Sequence, residues 1–131
     1  MAGFGVQLVA VSLKTPGQKA EGVVVADGGR NLRIEVADTT SPTTVVLTGE
    51  IDLSTARRVR EALIAISNSG ETNVVVDMTN VTFLDSTGLS ALVGPLKRFR
   101  SMNGEIVLRS PTKGVRKVLE ISGLTRVFTI D

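Results

Sequence analysis

Asn73-Val74-Val75-Val76-Asp77-Met78, followed after two residues by Val81-Thr82-Phe83-Leu84 and then by Asp85-Ser86-Thr87-Gly88, decides the fold. The β-branched run predicts a strand buried on both faces, as strands in the middle of a parallel sheet are. Beyond Gly88 the period changes. Leu89, Leu92, Val93, Leu96 and Phe99 recur at helical spacing, and Asn103-Gly104 supplies a stop. Pro95 falls inside this stretch, so the spacing allows either a kink there or a later helix start.

The same alternation extends outward on both sides. Leu32-Arg33-Ile34-Glu35-Val36 and Thr44-Val45-Val46-Leu47-Thr48-Gly49-Glu50 flank a turn containing Pro42 and predict a hairpin. Ala56, Val59, Leu63 and Ile66 then fall on one helical face, with Asp52 or Ser54 as N-cap and Asn68-Ser69-Gly70 as the stop. Glu105-Ile106-Val107-Leu108-Arg109 predicts a further strand. Ser110-Pro111 leads into a third helix containing Val115, Val118, Leu119 and Ile121, with Gly123 past its end, and Val127-Phe128-Thr129-Ile130 suits a closing strand. Strand-helix-strand units need parallel pairs and right-handed crossovers, whereas the opening pair is antiparallel. The expected class is therefore α/β, a mixed and partly parallel sheet with helices packed against it.

The first thirty residues read differently. Val6–Leu13 alternates loosely as a strand would, and the stretches 14–19 and 27–30 are rich in turn formers. The chain thus divides into an N-terminal extension, residues 1–30, read as a strand pair or a partly disordered segment, and a domain over 31–131. At 131 residues one core is the natural size.

Composition excludes much chemistry. The chain has neither Cys nor His, which removes disulfides, thiolate nucleophiles, Ser-His-Asp triads and the usual zinc ligands. An enzyme is not expected, and no metal or cofactor is expected either. One enzymatic alternative would set Asp52, Asp77 and Asp85 around Mg²⁺, but no lysine stands at the spacing such a phosphoryl-transfer site needs. Charge is uneven, with 7 Lys+Arg against 10 Asp+Glu before Val93 and 8 against 3 from there on. Without Trp or Tyr, and with only 4 Phe, this basic third reads as a solvated helix surface rather than a nucleic-acid site. Apolar runs of four or five residues, and an opening unlike a signal sequence, point to a cytoplasmic protein with no membrane insertion.

Loops at the carboxyl ends of parallel strands meet at the binding edge of an open sheet. That rule gathers Gly49-Glu50-Ile51-Asp52, Asp77-Met78-Thr79 and Asp85-Ser86-Thr87-Gly88, and brings Asp52 towards Ser86 and Asp85. From spacing alone, Ser86 reads first as an N-cap and only second as a phosphorylation site. Asp52 likewise reads as a cap.

The blocks Gly49-Glu50-Ile51-Asp52-Leu53-Ser54-Thr55-Ala56, Val74-Val75-Val76-Asp77-Met78 and Phe83-Leu84-Asp85-Ser86-Thr87-Gly88-Leu89 together resemble the STAS domain of bacterial anti-sigma factor antagonists. Val118-Leu119-Glu120-Ile121-Ser122-Gly123-Leu124 with Val127-Phe128 is similar to that family's closing helix and strand. The resemblance implies that Ser86 is the phosphoacceptor, with Thr87 the nearest rival. It further implies a partner-binding surface at Asp52, Leu53, Ser54, Thr55, Asp85, Ser86, Thr87, Gly88 and Leu89. The implied partner is an anti-sigma factor with Ser/Thr kinase activity, opposed by a phosphatase. Unphosphorylated protein would bind it and release a sigma factor, and phosphorylation would reverse this. A phosphate adds a charge of about −1.5 to −2, which neighbouring Asp85 and Asp52 would make more repulsive to an acceptor surface. The alternative is a STAS module that is never phosphorylated, serving as a scaffold or as an accessory subunit of a membrane transporter.

Overall fold

In a computed structural model of the chain, the described residues are 23–24, 31–40 and 42–131. The strand expected at Val6–Leu13 and the turns at 14–19 and 27–30 lie outside them. Among the described residues, six strands form one sheet whose spatial order follows the chain: β1 (Val23–Val24), β2 (Leu32–Asp38), β3 (Thr43–Ile51), β4 (Asn73–Leu84), β5 (Glu105–Arg109) and β6 (Thr129–Ile130). β1 and β3 flank β2 in antiparallel pairing, whereas β3, β4, β5 and β6 are mutually parallel. The expected mixed sheet is present. The pairing of Val23 with Val36, and of Val24 with Glu35, places this part of the extension on the edge of β2.

Three helices fill the crossovers: α1 (Ala56–Asn68), α2 (Ser86–Ser101) and α3 (Lys113–Ile121). In α1, Val59, Leu63 and Ile66 are buried one turn apart, as their spacing predicts. Each such side chain removed from water contributes about 1.5–3 kcal/mol. They join Leu92, Leu96 and Phe99 of α2 and Val115 and Leu119 of α3 in a single core with Ile34, Leu47, Val76 and Leu108 from the strands. β2, β3 and β5 bury alternate residues, while Val74, Val75 and Val76 of β4 are all buried. The β-branched run of β4 is enclosed as predicted, while Thr79, Asn80, Thr82 and Phe83 further along the strand are exposed.

Four local expectations change. β4 does not end near Met78 but continues through register shifts to Leu84. Asp77 therefore lies within the strand, opposite Val46 and Arg109, and its carboxylate accepts the amide and hydroxyl of Thr79. α2 starts at Ser86 and runs past Pro95, which is buried. A proline at this point removes the bond its amide would have given to the Ala91 carbonyl, and its ring crowds that carbonyl. Finally, Ile121 ends α3 on the solvent side at 77% exposure, so Val115 and Leu119 carry that helix's packing. Gly123 does follow α3 in the left-handed conformation, at φ 78°.

Candidate functional site

β3 and β4 are neighbours, and both feed helices from the same end of the sheet. Ile51 lies opposite Leu84 in the parallel register, so the turn after β3 and the start of α2 come side by side. The Asp85 amide donates to the Ile51 carbonyl at 3.4 Å. Gly88 sits so close to β3 that a Cβ there would stand 2.4 Å from the Ile51 oxygen and 2.9 Å from Leu84 Cδ1. Only a residue without a side chain lets α2 begin at this depth.

The turn between β3 and α1 is built by two side chains. Asp52 Oδ1 accepts the Ser54 amide at 2.9 Å, the Ser54 hydroxyl at 2.8 Å and the Thr55 amide at 3.2 Å. The Ser54 hydroxyl is the largest influence on the Asp52 carboxyl, and with the Ser54 and Thr55 donors it outweighs desolvation, holding the acid below its ordinary value. Thr55 is fully buried; its hydroxyl donates to the Glu50 carbonyl at 2.8 Å and accepts the Asp52 amide at 2.9 Å. The N-cap expected at Asp52 or Ser54 is at Thr55 instead, without a side-chain bond to the helix. Asp52 organises the turn that precedes the helix because its carboxylate reaches only as far as the Thr55 amide.

At α2 the division of labour also differs from expectation. Asp85 is the N-cap, accepting the Gly88 amide at 2.9 Å. Ser86 is the first helical residue and is exposed, and its hydroxyl has no hydrogen-bond partner among the described residues. The capping role predicted for Ser86 belongs to the residue before it, since a cap must lie outside the first turn to reach back into it.

The structure thus brings Asp52 and its turn next to Asp85 and Ser86, and leaves Asp77 in the strand interior. The three carboxylates needed for the Mg²⁺ alternative do not converge, and among the described residues no cluster of three acids is placed to hold a metal. Of the residues expected at the partner surface, Leu53 is 77% exposed, Ser54 and Ser86 are exposed, and Asp52, Asp85 and Thr87 are half-buried. Thr55, Gly88 and Leu89 are buried and support this surface from below.

Beside Ser86 lies a groove of about 260 Å³ between the two helices. Ala56, Arg57 and Arg60 form one wall, Thr87, Ser90 and Ala91 the other, and Leu53 stands at its mouth. Sequence reasoning missed Arg57, Arg60, Ser90 and Ala91. Their signal was a small-residue spacing on α2 (positions 87, 90, 91, 94) that reads as ordinary helix surface until α1 is set against it. Phe83, 46% exposed at the end of β4, was also missed, since it stood within an otherwise apolar run. Among the described residues, no helix is long and apolar enough to cross a membrane.

Known proteins agree with this architecture. The anti-sigma-B factor antagonist of Listeria monocytogenes serovar 1/2a is 34% identical over 101 residues, covering 76% of this chain and 89% of that protein. The unphosphorylated anti-sigma factor antagonist SpoIIAA superimposes with a TM-score of 0.63 at 26% identity, covering 75% of this chain and 87% of that one. SpoIIAA in its phosphorylated form, described as a Bacillus cell fate determinant, gives a TM-score of 0.57 at 25% identity, with 75% and 90% covered. The STAS domain pattern itself matches residues 33–131, the span that contains both helix starts, the groove and every strand from β3 onward, and the chain belongs to the STAS domain family.

Proposed function

We propose that this protein is a cytoplasmic, non-enzymatic anti-sigma factor antagonist that works by partner switching. In its unmodified form it binds an anti-sigma factor that is also a Ser/Thr kinase, so that a sigma factor is released. Transfer of a phosphoryl group from ATP to the Ser86 hydroxyl ends that binding, and a phosphatase restores it. ATP belongs to the kinase, and the antagonist needs neither a metal nor a cofactor.

The observation that carries this reading is the freedom of Ser86. Its hydroxyl is exposed at the start of α2, at the edge of the groove, while Asp85 does the capping. A side chain with no structural duty can be modified without undoing the fold. The helix N-terminus tolerates the added anion, by about 0.3–1 kcal/mol. The same anion raises the negative charge beside Asp85 and Asp52, and it adds bulk where a partner must approach closely. Solved structures of SpoIIAA in unphosphorylated and phosphorylated forms support a switch of this kind. Thr87 is the weaker acceptor because it is half-buried in the groove wall.

Incubation with ATP and the cognate kinase, followed by mass spectrometry, tests the assignment. Phosphate on Ser86 is the expected result. Its absence with every plausible kinase, with Ser86→Ala fully functional, would return the protein to the class of unmodified scaffolds.

A further inference from the structure

The groove beside Ser86 is basic. Asp52 and Asp85 are not part of its lining, whereas two exposed arginines, Arg57 and Arg60, stand along its α1 wall. These arginines are only loosely engaged by their own helix. Arg57 lies in the first turn of α1, which holds no acidic residue, so its cation faces the positive end of the helix dipole. It pairs with Glu61 at 3.4 Å, but both side chains are more than half exposed, and such a pair is easily exchanged for another. Arg60 makes no hydrogen bond or ion pair among the described residues. Its Cδ lies 4.0 Å from where a Cβ of Gly94 would stand, so its stem crosses towards α2 over a position with no side chain to obstruct it. Leu53, Ala56 and Ala91 supply the apolar part of the lining.

We propose that Arg57 and Arg60 determine which partner this antagonist accepts: the groove takes a partner segment that sets an apolar side chain against Leu53, Ala56 and Ala91 and a carboxylate between the two arginines. The inference rests on the partner-switching reading and specifies the chemistry of the partner. Charge complementarity selects the occupant. A basic segment would meet Arg60, which has no ion pair among the described residues, and Arg57, held only by an exposed pair with Glu61, and desolvating like charges together disfavours it.

The probe is a short amphipathic helical peptide of Leu, Ala and Glu, with a counterpart in which every Glu is Lys. Each is titrated into the ¹⁵N-labelled full chain. The Glu peptide is expected to shift amides of Leu53, Arg57, Arg60, Thr87 and Ser90, with binding that weakens as salt rises. The Lys peptide is expected to leave them unmoved. In Arg57→Glu/Arg60→Glu the Glu peptide should bind roughly tenfold or more weakly and the Lys peptide should gain affinity, a reversal that mere loss of packing cannot produce. Both arginines are exposed, so the variant keeps its fold, and Arg60→Gln provides a neutral check. No shift in the groove, equal binding of both peptides, or indifference to the reversal would overturn the inference, as would filling of the groove by a second copy of the chain. Phosphorylation of Ser86 is scored separately. A modified Ser86 with a silent groove sinks this inference alone, and a responsive groove with no modification sinks the switch alone.

Discussion

Gly88 and Ile51 are in backbone contact: a Cβ on Gly88 would fall 2.4 Å from the Ile51 carbonyl oxygen. The start of α2 is seated directly on the end of β3, and the position of Ser86 depends on that seat. Gly88→Ala must push the helix away, and crowding of this kind costs about 1–3 kcal/mol. Urea denaturation should show that loss, and amide shifts should spread from Gly88 into the Asp52 turn. An unchanged midpoint would mean that the two elements are not tightly seated.

Capping and the proposed modification fall on adjacent residues, and stability measurements can separate them. Asp85→Ala removes the acceptor for the Gly88 amide and should lower stability by about 1 kcal/mol. Ser86→Ala removes no hydrogen bond to the described residues and should stay within about 0.5 kcal/mol of the parent. Equal losses in the two variants would assign the cap to both residues.

The extent to which this site was legible follows from the range of the forces involved. Strand and helix identities came through because alternation and 3.6-residue spacing record burial locally, as in Val59, Leu63 and Ile66. Which residue caps is a matter of one position: Asp52 and Ser54 were two candidates for the first helix, and the cap read at Ser86 lies one residue earlier, at Asp85. The continuation of β4 past Met78 was hidden because Thr79 and Asn80 look like a turn, whereas pairing with Thr48 and Gly49 on the neighbouring strand keeps the segment extended. The groove could not be read at all. It belongs to two helices thirty residues apart, and neither carries a pattern that announces the other.

Charge at Ser86 should act on binding rather than folding. Ser86→Asp is expected to keep the far-ultraviolet circular dichroism of the parent and to bind the anti-sigma partner at least about tenfold more weakly, a change of roughly 1.4 kcal/mol. Ser86→Ala should bind whether or not kinase and ATP are present. Surface plasmon resonance with the captured partner reads both, and equal affinities for the two variants would count against the switch.

Asp52 sets the pH behaviour of its turn. Its carboxyl lies below the ordinary aspartate value, chiefly because the Ser54 hydroxyl donates to the charged form. A depressed acid contributes order that is complete above its unfolded value, about 3.9, and is lost as pH falls through the lower folded value. The turn should therefore be constant from about pH 5 to 8, in a chain with no His to titrate there. A carboxyl titration followed by NMR should place Asp52 below 3.9, and Ser54→Ala should move it upward. A midpoint unmoved by that substitution would mean that the Ser54 bond does not form.

A sheet whose strands stand in the order in which they are translated has a consequence for biosynthesis. Each new strand finds its partner already made, so no segment waits for a distant one before it can pair, and loop-closure costs stay small. The docking edge is assembled from β3, α1, β4 and the first turn of α2, all encoded in one uninterrupted stretch. On the ribosome this stretch is translated before β5, α3 and β6, which close the sheet on its far side.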